Sequence, residues 1–355
     1  MSKTEPSVTH LPNYSHGNPY LQNLTSGIKS NGVNATVVGD DYTYIFSLFR
    51  ASRNADIVHI HWLEGLYKGS SKYETLIKSL LLPIDLLLAQ LLGIPIVWTV
   101  HNIKPHDTTY PRLYGVLGHL FSRVATTIHV HDESTVAEII SSYRLPTSVR
   151  QKCEVIPHGN YIENYPNDVG QGEARSQLEV GSDETVYLFL GLIRPYKGVT
   201  ELIKSFNTLE ESNSRLIIAG KPESKEYNEQ LTQLVAGDDR IDYRPEFVPG
   251  EELQLYFNAA DVAVFPFRSV LTSGSVLLAL SFGCPAVVPR IGNVGELPQG
   301  TITYDPVGES VLEGLRKATD EDLLALGDEG RAFAERVDWG SIGDRMVSVY
   351  RKSLS

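Results

Sequence analysis

Thr185 to Gly198 read TVYLFLGLIRPYKG. The residues before the glycine are β-branched, aromatic or aliphatic with no polar alternation, the pattern of a strand covered on both faces in a parallel sheet. The run stops at Gly191, Arg194 and Lys197 follow, and Gly198 precedes a stretch of helical periodicity. A strand that delivers two cations beside a helix N-terminus suits an anionic ligand, above all a diphosphate, because positive charge and free N–H groups converge there. Taken alone, the segment also reads as a plain strand-to-helix turn with solvated Arg and Lys.

Outward from this segment, apolar β-rich runs alternate with helical periodicity in both directions. Strands are expected at 7–11, 35–38, 56–62, 94–101, 126–131 and 153–157, with helices near 20–31, 72–92, 110–123 and 133–143. Residues 159–183 lose this periodicity and gather Gly, Pro, Asn and Asp, which reads as a linker. Strands then resume near 185–190, 215–219, 240–244, 261–266 and 285–289, with helices near 199–210, 224–236, 250–259 and 274–282. From Asp320 onward the chain reads as helical. The expectation is an α/β protein of two Rossmann-like domains facing a cleft, 1–160 and 185–330, joined by a linker at 161–184. A C-terminal helix in 331–355 is expected to cross back and pack near the domain junction.

Composition narrows the function classes. A length of 355 residues accommodates two domains, and 42% apolar residues is ordinary for a globular α/β chain. A net charge of −12 argues against nucleic acid, whose binding depends on Lys and Arg neutralising phosphates. The only two cysteines, Cys153 and Cys284, lie far apart, which indicates neither a disulfide framework nor a zinc site. The N-terminal stretch lacks an apolar signal-peptide core, so a cytoplasmic location is expected. Residues 76–93, LIKSLLLPIDLLLAQLLG, are nearly all apolar, but Lys78, Pro83 and Asp85 interrupt them and argue against a membrane span. They read as a buried helix; the alternative is a flank resting on the inner face of the cell membrane, a peripheral contact suited to a lipid-linked acceptor.

Chemistry is expected at the carboxyl ends of the strands, where polar residues gather. Nine of the ten histidines fall at or near such ends, in HLPNYSHGNPY (10–20), HIHWLEG (59–65), VWTVHN (97–102) with its following KPH, HVHDES (129–134) and at His158. His59 and His61 share a strand face, but no third and fourth ligand follows at metal spacing, so no metal and no cofactor is expected. In the second half a strand ending in Pro266 and Phe267 leads to Thr272, Ser273, Gly274 and Ser275 at the start of a helix, where hydroxyls and N–H groups can hold phosphate oxygens. Gly283 ends that helix.

The NPY segment, HIHW, VWTVHN, IPHGNY, GLIRPYKG and SGSVLLALSFGCPAVVP together resemble a GT-B glycosyltransferase of family four and its relatives in surface polysaccharide assembly, including GDP-mannose-dependent β-mannosyltransferases. The resemblance covers nearly the whole chain. It implies a phosphate-binding role for Arg194 and Lys197 and a place near the donor sugar for His101. Such chains usually carry two glutamates separated by seven residues, and here Val270 and Leu278 stand at those positions. A leucine cannot accept a hydrogen bond from ribose. Ribose would then be held elsewhere, with Glu296 in RIGNVGELP as the candidate; the chain could instead be an inverting relative, or inactive.

The reading is a metal-independent hexosyltransferase that moves a sugar from a UDP- or GDP-sugar to a glycan or lipid-linked acceptor in polysaccharide or glycoconjugate synthesis. The donor-binding set is Arg194, Lys197, Thr272, Ser273, Gly274, Ser275 and Glu296. The acceptor set is Asn18, His61 and His158. His101 is the catalytic candidate, as a base if the reaction inverts, ahead of His61 and Asp132. Two alternatives stand beside it: a sugar-nucleotide epimerase of the same architecture, and a catalytically silent partner subunit.

Overall fold

The computed structural model describes residues 6–14, 18–39, 45–103, 110–307 and 310–355. The chain divides into two compact units, Met1–Gly159 with Val337–Ser355, and Asn160–Arg336.

The first unit is built on six parallel strands, β1 (Ser7–Leu11), β2 (Asn34–Val37), β3 (Ile57–Ile60), β4 (Ile96–Thr99), β5 (Thr127–Val130) and β6 (Cys153–Val155), in the order β2-β1-β3-β4-β5-β6. β3, β4 and β5 are buried throughout, and the polar residues they carry, His59, Thr99, Thr127 and His129, are buried with them. The order reverses at β1 and β3, the place where open α/β sheets leave a crevice at the carboxyl ends of the strands. Helix Tyr20–Ser30 and the C-terminal helix Trp339–Ser353 pack backbone against backbone: a methyl group added at Gly27 would lie 2.0 Å from the Trp339 carbonyl oxygen, and one at Gly343 would lie 2.3 Å from the Gly27 backbone. Side-chain caps start two of the other helices, Glu133–Ser142 and Lys72–Leu91. Asp132 accepts from Thr135 N–H at 2.7 Å and Ser71 from Glu74 N–H at 3.2 Å.

The second unit repeats the scheme with β7 (Thr185–Leu190), β8 (Ser214–Ala219), β9 (Ile241–Arg244), β10 (Val262–Val264), β11 (Ala286–Pro289) and β12 (Thr301–Tyr304), in the order β12-β11-β10-β7-β8-β9. Its reversal lies between β7 and β10. Tyr187, Leu188 and Phe189 from the centre of the sheet are fully buried in one continuous apolar core.

Three expectations need correction. The stretch 161–184 is not irregular: Gln171–Leu178 is a helix that buries Ala174, Arg175 and Leu178. Arg175 makes it look polar, yet its guanidinium is satisfied inside by the Ala259 carbonyl at 3.1 Å and Asp261 at 2.8 Å. β12, sequence TITY, gave no strand signal because an edge strand needs only one buried face and Ile302 and Tyr304 supply it. The apolar helix, Lys72–Leu91, is not buried all round. Tyr73, Leu76, Ile77, Leu80, Ile84, Leu87 and Leu91 are exposed, whereas Leu82, Asp85, Leu86 and Ala89 face the unit's interior. No helix among the described residues is long and apolar enough to cross a membrane.

Candidate functional site

In the second unit the candidate donor residues collect at the β7 and β10 switch point. Gly191 ends β7 with φ +139°, a backbone that side chains rarely adopt. A methyl group added there would meet Lys197 Nζ at 3.2 Å and Ser275 Oγ at 3.8 Å, so the ammonium and the hydroxyl converge over the bare glycine. Lys197 reaches this point from a 3₁₀ turn, Pro195–Lys197, closed by Gly198 in the left-handed conformation. The Tyr196 carbonyl accepts from Arg268 N–H at 2.8 Å, which ties this turn to the loop after β10. Burial, with the Arg194 charge behind it, pushes the Lys197 ammonium down to about 8. No ion pair holds Lys197 among the described residues, so its desolvated ammonium would gain from an anion placed beside it.

Ser273 caps helix Gly274–Ser281 by accepting from Val276 N–H at 3.3 Å. Thr272 Oγ1 beside it is buried without a hydrogen-bond partner among the described residues. Gly274 is required by a close approach: an added methyl would lie 2.7 Å from the Tyr161 hydroxyl. Tyr161 therefore faces the same helix start, a neighbour that no local sequence signal reveals. Val270 and Leu278 are partly buried against the apolar core, consistent with apolar residues there. Glu296 is exposed at the end of the turn Asn293–Glu296, which is fastened to the loop before Thr272 by Asn293 N–H donating to the Leu271 carbonyl at 2.9 Å. The chain's one Asp-x-Asp triplet, Asp320 to Asp322, is exposed between helices, where Asp322 caps Ala325 N–H at 3.1 Å.

In the first unit the strand-end histidines form one buried aromatic cluster. Two hydrogen-bonded chains run through it. One begins at Tyr350 on the C-terminal helix, passes to His59 Nδ1 at 2.6 Å, from His59 Nε2 to Thr99 Oγ1 at 2.7 Å, on to His129 Nδ1 at 2.8 Å, and ends at the Ile156 carbonyl, 2.9 Å from His129 Nε2. The other links His10 Nδ1 to His61 Nε2 at 2.9 Å and His61 Nδ1 to His101 Nε2 at 3.2 Å. Desolvation dominates their acid–base behaviour, lowering His10 to about 3 and His59, His61, His101 and His131 well below the usual imidazole range.

His101 is partly open and stacks on Trp62, ring centres 4.4 Å apart and planes 13° apart, with Tyr20 edge-on at 4.8 Å. His61 departs from its expected role: it is 1% exposed and both its ring nitrogens are engaged within the cluster, leaving nothing for an acceptor. Asp132 is likewise committed, taking Thr135 N–H, the Thr135 hydroxyl and the Ser134 hydroxyl. Asn18 is exposed and its Oδ1 accepts from Tyr20 N–H at 3.0 Å, setting the start of the helix that carries Tyr20. His158 is half-buried, Nδ1 2.7 Å from the Gly159 carbonyl, and lies between the rings of Tyr20, His131 and Trp339. Pro105 and His106 of the loop after His101 lie outside the described residues. His10, His59 and His61 bring ring nitrogens within 4.8 Å of one another, but both nitrogens of His59 already face hydroxyls, so a metal there would have to strip Tyr350 and Thr99 of their partner.

The profile of the family described as "Glycosyl transferases group 1" matches residues 184–313, the stretch that holds the Gly191, Lys197 and Ser275 convergence. A GDP-mannose:glycolipid 4-beta-D-mannosyltransferase of Xanthomonas campestris pv. campestris is 29% identical over 307 residues, 84% of this chain and 80% of its own length. The chain is a GT-B glycosyltransferase. A D-inositol 3-phosphate glycosyltransferase of Corynebacterium efficiens is 23% identical over 84% of this chain and 72% of its own length. Among solved structures, Anabaena HepE in complex with UDP and glucose superposes with a TM-score of 0.72 at 16% identity, covering 98% of this chain and 100% of that one. Sucrose-phosphate synthase from Thermosynechococcus elongatus gives a TM-score of 0.73 at 14% identity, covering 98% of each. The glycosyltransferase is a hexosyltransferase working from a nucleotide-sugar donor; the epimerase alternative finds no support.

Proposed function

We propose that this glycosyltransferase moves a hexose, mannose from GDP-mannose in the first instance, onto a lipid-linked glycan while resting on the inner face of the cell membrane. The diphosphate is held by Arg194, Lys197 and the Thr272 to Ser275 helix start, which stabilise the charge that develops on the departing nucleoside diphosphate. The donor choice draws support from the Xanthomonas relative, named for GDP-mannose and a glycolipid.

The observation that carries the acceptor class is the face of helix Lys72–Leu91. From Tyr73 to Leu92 no exposed position holds a charge, and Leu76, Leu80, Leu87 and Leu91 project as one stripe along it. Three helices pack beside it, Ser47–Ser52, Glu64–Tyr67 and Pro111–Val124; the one acid on them, Glu64, is partly buried, whereas Arg50, Arg112 and Arg123 are exposed. Asp85 fastens the first of these by accepting from Leu48 N–H at 2.8 Å and Phe49 N–H at 3.0 Å. In a chain of net charge −12, an apolar stripe flanked by cations without exposed acids suits an anionic lipid surface.

Flotation with vesicles of neutral phospholipid, alone or mixed with anionic phospholipid, tests this. The protein should float with the anionic vesicles, and Leu80→Glu with Leu87→Glu should abolish flotation while leaving nucleoside-diphosphate affinity intact. Equal recovery of both proteins with either vesicle would contradict the proposal.

A further inference from the structure

The second histidine chain constrains hydrogen positions. Each neutral imidazole carries one N–H, so two bonds among three rings allow only two assignments. In one, His10 Nδ1–H donates to His61 Nε2, His61 Nδ1–H donates to His101 Nε2, and His101 carries its own proton on Nδ1. In the other every bond is reversed, His101 Nδ1 is a bare lone pair, and His10 must carry a proton on Nε2. His10 Nε2 is buried with no hydrogen-bond partner among the described residues. An orphaned buried N–H is the rarer defect and leaves a strong donor unsatisfied. The neighbouring ring shows the same choice made by geometry. His131 Nδ1 lies 3.2 Å from the Ile156 carbonyl and must donate to it, which leaves its buried, unpartnered Nε2 as a lone pair.

We infer that His10 and His61 are positioning residues that lock His101 in the Nδ1–H tautomer, so that its outward nitrogen is a hydrogen-bond donor to a substrate oxygen rather than a base. His101 Nδ1 has no hydrogen-bond partner among the described residues, and stacking on Trp62 fixes the ring plane that aims it. The depressed acid–base range of all three rings keeps them neutral near physiological pH, as the assignment requires. A donor already oriented before substrate arrives needs no reorganisation, which is how fixed dipoles assist group transfer. The inference rests on the proposed function only for the identity of the oxygen; the tautomer stands or falls separately.

Long-range proton–nitrogen correlation spectra of the full chain labelled with ¹⁵N-histidine read the tautomer directly, with His101 assigned by its loss in His101→Asn. The expected result is an Nδ1–H tautomer at His101 that becomes a mixture in His61→Leu and is restored in His61→Asn, whose amide keeps the donor. An Nε2–H tautomer in the wild type, or histidine shifts caused by a stoichiometric metal in the purified protein, would overturn it. Transfer assays separate the role. His101→Asn keeps an N–H near the Nδ1 position and should retain turnover within about tenfold, whereas His101→Ala should lose about a hundredfold or more. Equal, near-complete loss in both with the Nδ1–H tautomer intact would refute the donor role while leaving the tautomer standing.

Discussion

Lys197 offers a quantitative test of the donor site. Its ammonium lies over Gly191 beside Ser275 Oγ, has no paired carboxylate among the described residues, and is lowered by burial to about 8. In the free protein the folded state therefore binds fewer protons than the unfolded chain between about pH 8 and the ordinary lysine range, and this group's contribution makes stability rise with pH across that window. Diphosphate binding has the opposite sign. The anion needs the charged lysine, so affinity should be flat well below pH 8 and, one unit above it, stand at roughly a tenth of its low-pH value. Loss of the charge altogether, in Lys197→Met, removes a charge-assisted contact of about 1.5–3 kcal/mol, or about 10- to 150-fold in affinity. Titration calorimetry of GDP and UDP across this pH range, with Lys197→Met alongside, should show the pH-dependent loss only in the wild type. A parallel loss in both proteins, or no loss in either, would refute the assignment of the diphosphate to Lys197.

Transfer should persist in EDTA, because the helix start at Ser273 to Ser275 and two cations already face the diphosphate; abolition by chelator with rescue by magnesium or manganese would contradict this. Gly27→Ala or Gly343→Ala should cost about 1–3 kcal/mol by forcing helices Tyr20–Ser30 and Trp339–Ser353 apart, read as a lowered Tm with nucleoside-diphosphate affinity unchanged. Gly191→Ala should weaken donor binding, since the new methyl meets Lys197 Nζ and the backbone at φ +139° resists a side chain; calorimetry checks it. Glu296→Gln should raise the donor KM if this exposed carboxylate holds ribose, and leave it unchanged if it is only solvated.

Much of this was legible in the sequence because parallel strands buried on both faces announce themselves as unbroken apolar runs, as TVYLFL and IPIVWTV do. The short elements were not. TITY is an edge strand with one buried face, and helix Gln171–Leu178 buries an arginine whose partners, Ala259 and Asp261, are remote in sequence. The apolar helix Lys72–Leu91 was misjudged because composition records how many leucines it has, and only packing decides which face them inward. The histidines were found by their strand-end positions, but not their roles. Tyr350 and Trp339 complete the cluster from the far end of the chain, and His61 is spent on its neighbours.

The most direct test of the central claim is transfer of labelled sugar from a panel of UDP- and GDP-sugars to lipid-linked glycan in membrane vesicles, followed by solvent extraction of the lipid. Label should enter the lipid fraction from a GDP-sugar, with GDP-mannose foremost, and Arg194→Ala or Lys197→Ala should cut the rate by about 10- to 150-fold. Transfer at the wild-type rate by both variants, or no donor consumed by the wild type with any sugar nucleotide, would contradict the account.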